Sequence, residues 1–487
     1  MKNKMLLNLL LVIGGLMSCG EKDILKSDVP DVYVINGDTI KSRVEKEISL
    51  LKERTRFIKS LVIVGDTTVF IPPVRPGAPP QSSPDLREFQ RPENKGKPFQ
   101  YYAYGSSLTA GFRDGGYFND GMETSYPVLI ARQMGLTDFK TPTFAHQNLN
   151  GVGRLVLTHF NPTGGPAPKF KLVNNNLGIS VNTEKDFEME KNREVSQLKN
   201  WAVANSERWQ LLQLFKDGGE NIFADRLGDN EYSVYCEKNP ADLVTLESGY
   251  TDLVKMVNGE ALAGSFDAII PWGAIGNNEQ RLAWGTTNLV TGERKRLLCV
   301  ANIPDPMDTP LFYVVTAREV YNSLLVKRDL VFHSNTDLDN SVFLMNSTLD
   351  SLLSPRVSLA LKEDIVVNKR TKLGGPMDVR AYYSEFVSNS VYNNMRYKNI
   401  EIEILSERYN FPVVDLHGLF KKIREGKFIT DDGVQVEFKY PGGNFYSNDG
   451  FYPTAFGQAI IANEFIKALN KHYGMKIPLI KTREYLK

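Results

Sequence analysis

Tyr101-Tyr102-Ala103-Tyr104-Gly105-Ser106-Ser107-Leu108-Thr109-Ala110-Gly111 is the stretch whose reading decides the fold. Three aromatic residues and an alanine suit a buried, pleated strand, and Gly-Ser-Ser ends it in a turn. The expectation is a short strand delivering a serine loop. Further strands are expected at residues 242–247, at 296–303, where the run ends in Pro304-Asp305, and at 412–415. Between and after them, helical apolar spacing marks residues 125–134 (with a cap at Thr124), 195–215, 391–409 and 459–473. Strands alternating with helices argue for a parallel sheet covered by helices. Residues 144–154 read as a loop and 155–185 as an irregular or β insertion; 320–385 show no clear pattern, with helices covering the site as one reading. No internal repeat interrupts this pattern.

Length and composition set the frame. The chain has 487 residues, 42% of them hydrophobic and 24% charged, with a formal net charge of +1. That is ordinary globular material for one large domain with insertions or for two domains. A near-neutral balance gives no reason to propose nucleic acid as a partner.

The N-terminus reads as a targeting segment. Lys2 and Lys4 precede the apolar run 5–13, which is too short to span a bilayer, and Leu16-Met17-Ser18-Cys19 follows. This resembles a bacterial lipobox, in which residues 1–18 are removed and Cys19 is lipidated. A plain secretory signal with a cysteine near its cleavage site is the alternative. The lipobox implies a lipid anchor in a Gram-negative cell envelope, with the outer membrane as the expected location. Residues 19–99 are expected to be mainly a tether with one minor ordered element. Residues 41–64 suggest a helix and then a strand, and 72–98 are rich in proline and polar residues. The folded domain is expected over 100–487. Of the other two cysteines, Cys236 and Cys299, the latter sits in an apolar run and reads as a buried strand residue. No zinc-type spacing exists, and no metal or cofactor is expected.

Chemistry concentrates in two distant blocks. The first is Gly105 to Gly111, continuing through Phe112, Asp114-Gly115-Gly116 and Ser125-Tyr126-Pro127. The last is Phe445-Tyr446-Ser447, then Asp449-Gly450-Phe451-Tyr452-Pro453-Thr454-Ala455-Phe456-Gly457. Together they resemble the first and last blocks of the SGNH/GDSL serine hydrolases, envelope-lipoprotein type, over about residues 100–478. The resemblance implies a three-layer α/β/α fold around a central parallel sheet. It places the nucleophile at Ser107, with Ser106 where the family has aspartate. The family's last block reads Asp-x-x-His-Pro, so Asp449 is kept and Tyr452 stands at the histidine position. A phenol with an ordinary pKa of about 10 is a poor base near neutrality.

The resemblance also implies an oxyanion hole. Its glycine block corresponds to Asn150-Gly151-Val152-Gly153, where a backbone N–H of Gly151 or Gly153 would donate. Its asparagine block has two counterparts. Gly249-Tyr250-Thr251-Asp252 follows the strand 242–247 and puts Thr251 at the asparagine position, where a hydroxyl has shorter reach than an amide. Gly276-Asn277-Asn278-Glu279 is closer by letters, yet Asn277 with Gln280 also reads as a helix capping pair. The Gly249 block is the favoured one. Asp449 either bonds Tyr452 or Ser107, or caps the closing helix. Among the five histidines, His146 is the one near a signature loop and is the candidate substitute base.

Two functions compete on these residues, with a third beside them. One is a catalytically impaired, ligand-binding lipoprotein, for which Ser107, Tyr250, Asp449 and Tyr452 suggest an acyl or glycan ligand. The other is a slow or unconventional serine ester hydrolase acting on acyl esters. A scaffold subunit of an envelope complex is the third class. Whether the chain is an enzyme is left open by its residues.

Overall fold

The computed structural model describes residues 79–80, 82–144, 148–159, 169–173, 175–177, 198–200, 202, 240–257, 296–313 and 385–486. Short strands between 33 and 70 and between 330 and 383 are also described. The chain divides into two units, residues 1–61 with 70–72, and residues 62–69 with 73–487. In the first, Tyr33–Ile35 pairs antiparallel with Asp38–Ile40.

The second unit is built on a parallel four-stranded sheet, and the fold is mixed α/β. Strand β1 is Tyr101–Tyr104 and β4 is Leu243–Leu246, each with every side chain buried. Strand β5 is Leu297–Ala301, and β6 is the two-residue Val413–Val414. Between β1 and β4 in sequence, β2 (Leu155–His159) and β3 (Lys169–Leu172) form an antiparallel hairpin, so the expected insertion is β at its start. Across the main sheet the order is β6-β5-β4-β1, with Tyr101 opposite Leu243 and Leu243 opposite Leu297. Strands buried on both faces read as continuous apolar runs, as these do. Their one polar interior pair satisfies itself: Tyr101 OH and Thr245 Oγ1 are 2.9 Å apart.

The sheet does not stop at β1. Asn200 bridges parallel to Ala103, and Leu198 bridges parallel to Lys140. Strand order therefore reverses at β1, which places the loop after β1 at a topological switch point, where open α/β sheets form their crevices. These bridges also correct the expected helix 195–215: its described part, at 198–200, is extended. The polar bonds of Lys199 and Asn200 go to neighbouring chain segments rather than along a helix.

Seven helices are needed to place the site: α1 (Ser107–Ala110), α2 (Asn119–Glu123), α3 (Tyr126–Gln133), α4 (Tyr250–Val257), α5 (Glu385–Tyr409), α6 (Leu416–Arg424) and α7 (Ala455–Tyr473). The N-cap of α3 is Ser125, one residue after the expected Thr124. Thr124 is taken by Arg113, whose Nη1 donates to its hydroxyl at 2.8 Å. The closing helix α7 starts four residues before the expected 459 because Thr454 caps it, accepting from Gly457 N. It ends at Gly474, in the left-handed region at φ 74°. Strand β6 is shorter than expected because Asp415 leaves the sheet to cap α6, accepting from Gly418 N at 2.9 Å.

Helix α7 packs on α3, with Tyr126 stacked on Phe465 at 4.6 Å. Its buried Gln458 accepts from Tyr126 N and donates to Leu108 O, tying α3 and α1 together. In the region 320–383, which the sequence left without a clear pattern, the described residues are strands: Leu330–Phe332 pairs with Ile365–Val367, and Val342–Phe343 with Tyr382–Tyr383. The end of the segment read as a tether is packed on this unit. Arg91 N, Asn94 Nδ2 and Gln100 N all donate to the Asp242 carboxylate, and Asn94 is fully buried.

Candidate functional site

Ser106 and Ser107 follow β1, and both are fully buried. Thr251 lies in the first turn of α4, directly beyond β4, and is 1% exposed. Its hydroxyl oxygen accepts from Ser106 Oγ at 2.5 Å and lies 3.2 Å from Tyr452 OH. The Ser107 side chain is hydrogen-bonded to the same phenol. The structure thus brings Ser107, Thr251 and Tyr452 together as a row of buried hydroxyls. The competing block at Gly276 lies outside the described residues, as do His146, Cys236 and Cys19.

Tyr452 is held from several sides. Phe112 meets its ring edge-on at 5.1 Å and Tyr250 at 5.6 Å. Tyr250 OH donates to Phe451 O at 2.9 Å, fixing the backbone just before it. Burial pushes the Tyr452 phenol above the ordinary tyrosine value, against the opposing effect of its bonds to Thr251 and Ser107. It is therefore a neutral hydroxyl at physiological pH.

Asp449 does not cap α7. Its Oδ1 accepts from Phe451 N and Tyr452 N, both at 2.8 Å, and its Oδ2 accepts from Gly115 N at 3.0 Å. Burial lifts its carboxyl to about 6 despite these three backbone donors. The two loops are knitted further: Asp114 N donates to Ser447 Oγ at 2.8 Å, and Asn448 N donates to Asp114 Oδ1 at 2.9 Å. Asp114 adopts φ 53°, a left-handed conformation that aspartate tolerates better than most side chains.

The glycine block is committed to its own turns. Gly151 N donates to Asn148 O and Gly153 N to Asn150 O, both at 2.8 Å. Gly151 sits at φ 49°, where a Cβ would come within 2.1 Å of Tyr117 O. Glycine is needed there for backbone conformation and close packing. The two N–H groups expected to face an oxyanion face carbonyls instead.

One residue of the cluster went unassigned in the sequence. Glu247, at the C-terminal end of β4, is 2% exposed, and its Oε2 accepts from Thr109 Oγ1 at 3.1 Å and from Ser106 N at 3.4 Å. Tyr126 OH lies 2.9 Å from Thr109 Oγ1 and completes the row. Glu247 Oε1 is buried with no hydrogen-bond partner among the described residues. Desolvation raises its carboxyl to about 7. The available signal was a carboxylate at the end of an otherwise apolar strand, immediately before Ser-Gly.

Two described histidines lie elsewhere: His472 Nε2 is 3.2 Å from Asn410 O, and His417 opens α6 with a backbone bond to Asn302. Cys299 is fully buried in β5, and burial pushes its thiol up. Among the described residues no group of three or more His, Cys, Asp or Glu side chains is arranged to hold a metal ion. No described helix is long and apolar enough to cross a membrane. Beside the site, a cavity of about 640 Å³ is bordered by Asp114, Glu437, Asn444, Ser447 and Asn448 among others. In comparisons with known proteins, no protein-family model matches this chain, and no curated protein matches it.

Proposed function

We propose that the chain is an SGNH/GDSL-hydrolase-like envelope lipoprotein whose catalytic centre is impaired and which acts by binding an acyl or glycan ligand. The observation that carries this reading is the bond between Ser107 and the Tyr452 phenol. In an active serine hydrolase the nucleophile's proton passes to a base that titrates near neutrality. Here it meets a buried, neutral hydroxyl. Thr251, at the asparagine position, already accepts from Ser106, and the N–H groups of Gly151 and Gly153 already donate to backbone carbonyls. Loss of a single oxyanion donor lowers turnover by about 100- to 1000-fold. The reversal of strand order at β1, with the serine loop directly after it, supports the three-layer α/β/α arrangement that belongs to this reading.

Ser107 itself is sealed, so ligand contact is assigned to the neighbouring cavity, which has the size of a small-molecule site and a mixed border of polar groups such as Asn444 and Ser447 and apolar ones such as Val434 and Phe456. Residues 1–18 as a signal and Cys19 as a lipidated terminus complete the proposal, and mass spectrometry of the mature protein tests them.

One observation favours slow ester hydrolysis as the second reading. Glu247, with a carboxyl near 7, touches the backbone of the residue before Ser107 and keeps a proton acceptor within the cluster. The deciding experiment assays the purified protein on small acetyl and longer acyl esters, with Ser107→Ala as control. In parallel, thermal shift is measured with acylated and free oligosaccharides. Background ester turnover together with a saturable shift supports the binding reading. Turnover that Ser107→Ala abolishes replaces it with the hydrolase.

A further inference from the structure

Ser106, Ser107 and Thr109 have no solvent exposure, so nothing reaches the serine unless the 105–111 loop moves. Glu247 is one of the groups that loop is fastened to, beside Thr251, Tyr452 and Gln458. It stands at the C-terminal end of β4, a different strand, and accepts from the Ser106 backbone and from the Thr109 hydroxyl. Both bonds go to Oε2, and Oε1 is buried with no partner among the described residues.

We propose that Glu247 is the latch of the buried serine: its neutral carboxyl keeps the 105–111 loop closed over Ser107, and its ionisation opens that loop to water. A neutral carboxyl with one bare oxygen is tolerable in this interior. An ionised one leaves charge on an oxygen with no donor, and a buried, uncompensated charge is relieved by letting water in.

Burial favours the neutral form of Glu247 and outweighs the Thr109 and Ser106 bonds, which favour the ionised one. Thr109 and Ser106 face it from the serine loop, and Tyr126 of α3 stands behind Thr109. From α4, Asp252 adds a repelling negative charge. The Tyr452 and Tyr126 hydroxyls, both raised by burial, also feel the Glu247 charge, and β1 contributes Tyr101 beside Tyr126. The carboxyl's value of about 7 agrees with this environment. Asp449, the other raised carboxyl nearby, is at about 6 and is bonded on both oxygens.

The test is hydrogen exchange of the full chain from about pH 5 to about pH 8, corrected for the intrinsic rate, comparing peptides that cover 104–112 with peptides from the middle of α7. Linkage predicts that opening of the serine loop rises by up to about tenfold per pH unit and levels off near pH 7, with α7 unchanged. Glu247→Gln should hold the loop at its low-pH protection throughout, while Asp449→Asn should keep the wild-type slope. Flat protection in the wild type, a slope that survives in Glu247→Gln, or a plateau already reached near pH 6 would each overturn the proposal. Should Glu247→Gln fail to fold, the position of the wild-type plateau and its confinement to the loop still decide. Exchange reads loop opening whether or not any ester is hydrolysed, so the result stands apart from the fate of the functional reading.

Discussion

Asp449 Oδ2 accepts a hydrogen bond from Gly115 N at 3.0 Å, joining two loops that lie 334 positions apart in the chain. The same carboxylate holds the backbone of Phe451 and Tyr452, while the phenol of Tyr452 turns to Thr251 and Ser107. On the proposed SGNH/GDSL reading, an active relative would use that acid to orient an imidazole. Here it fastens loops.

A fastening role has a measurable consequence. Asp449→Ala leaves three backbone N–H donors without their acceptor; the exposed one at Gly115 can turn to water, while the part-buried ones at Phe451 and Tyr452 approach the cost of about 1–3 kcal/mol for an unsatisfied buried donor. Urea denaturation should show a loss of stability of that order or more. Asp449→Asn, which keeps one acceptor oxygen, should lose less. Equal stability of all three proteins would show that these bonds are not what holds the loops.

The raised carboxyls set the pH dependence of stability. Glu247 moves from an ordinary 4.5 to about 7 on folding, and Asp449 from 3.8 to about 6. The folded protein therefore holds more protons than the unfolded chain between these values. Stability from both groups is full below their unfolded values and is lost as pH rises towards about 7. Thermal melts should show the melting temperature falling between about pH 4 and about pH 7, more gently in Glu247→Gln. At pH 8 that variant should melt higher than the wild type. A melting temperature that rises across this window would contradict the assignment.

The sheet was legible in the sequence because its strands are buried on both faces and bounded by turn residues. Residues 101–104, 242–247 and 296–303 were each expected and found, trimmed only at their ends. Element starts were less legible, since they depend on local bonds: Arg113 takes the Thr124 hydroxyl, so α3 starts after Ser125, and the Thr454 side chain caps α7. The extended segment at 198–200 was hidden because its partners, Lys140 and Ala103, are remote in sequence. At the site, the positions of Ser107, Thr251 and Tyr452 could be read as motif letters. Glu247 could not, because its meaning comes from Thr109 and Ser106 on another strand's loop.

Glycine at 151 is read here as a packing requirement. Gly151→Ala places a Cβ 2.1 Å from Tyr117 O and 2.5 Å from the Phe144 ring, in a left-handed conformation. A substitution with both faults is expected to cost well over about 1 kcal/mol. The expected result is a clear drop in denaturation midpoint, with ester turnover per folded molecule unchanged. An undiminished midpoint combined with altered turnover would return Gly151 to the chemistry.

The decisive residue is Tyr452. Tyr452→Phe removes a hydroxyl shared by Thr251 and Ser107, leaving both without that partner in a buried setting, at a cost of about 1–3 kcal/mol. Tyr452→His puts an imidazole where the proposed reading expects the base, yet Asp449 still points its oxygens at the backbone donors of residues 115, 451 and 452. An unoriented imidazole beside a sealed serine is a weak base, and Thr251 still lacks the reach of an amide. Ester turnover should therefore stay near background in Tyr452→His, and rise only modestly in Tyr452→His combined with Thr251→Asn. Strong turnover in the single variant would mean that the phenol alone had disabled the site, and that the rest of the catalytic frame is still in working order.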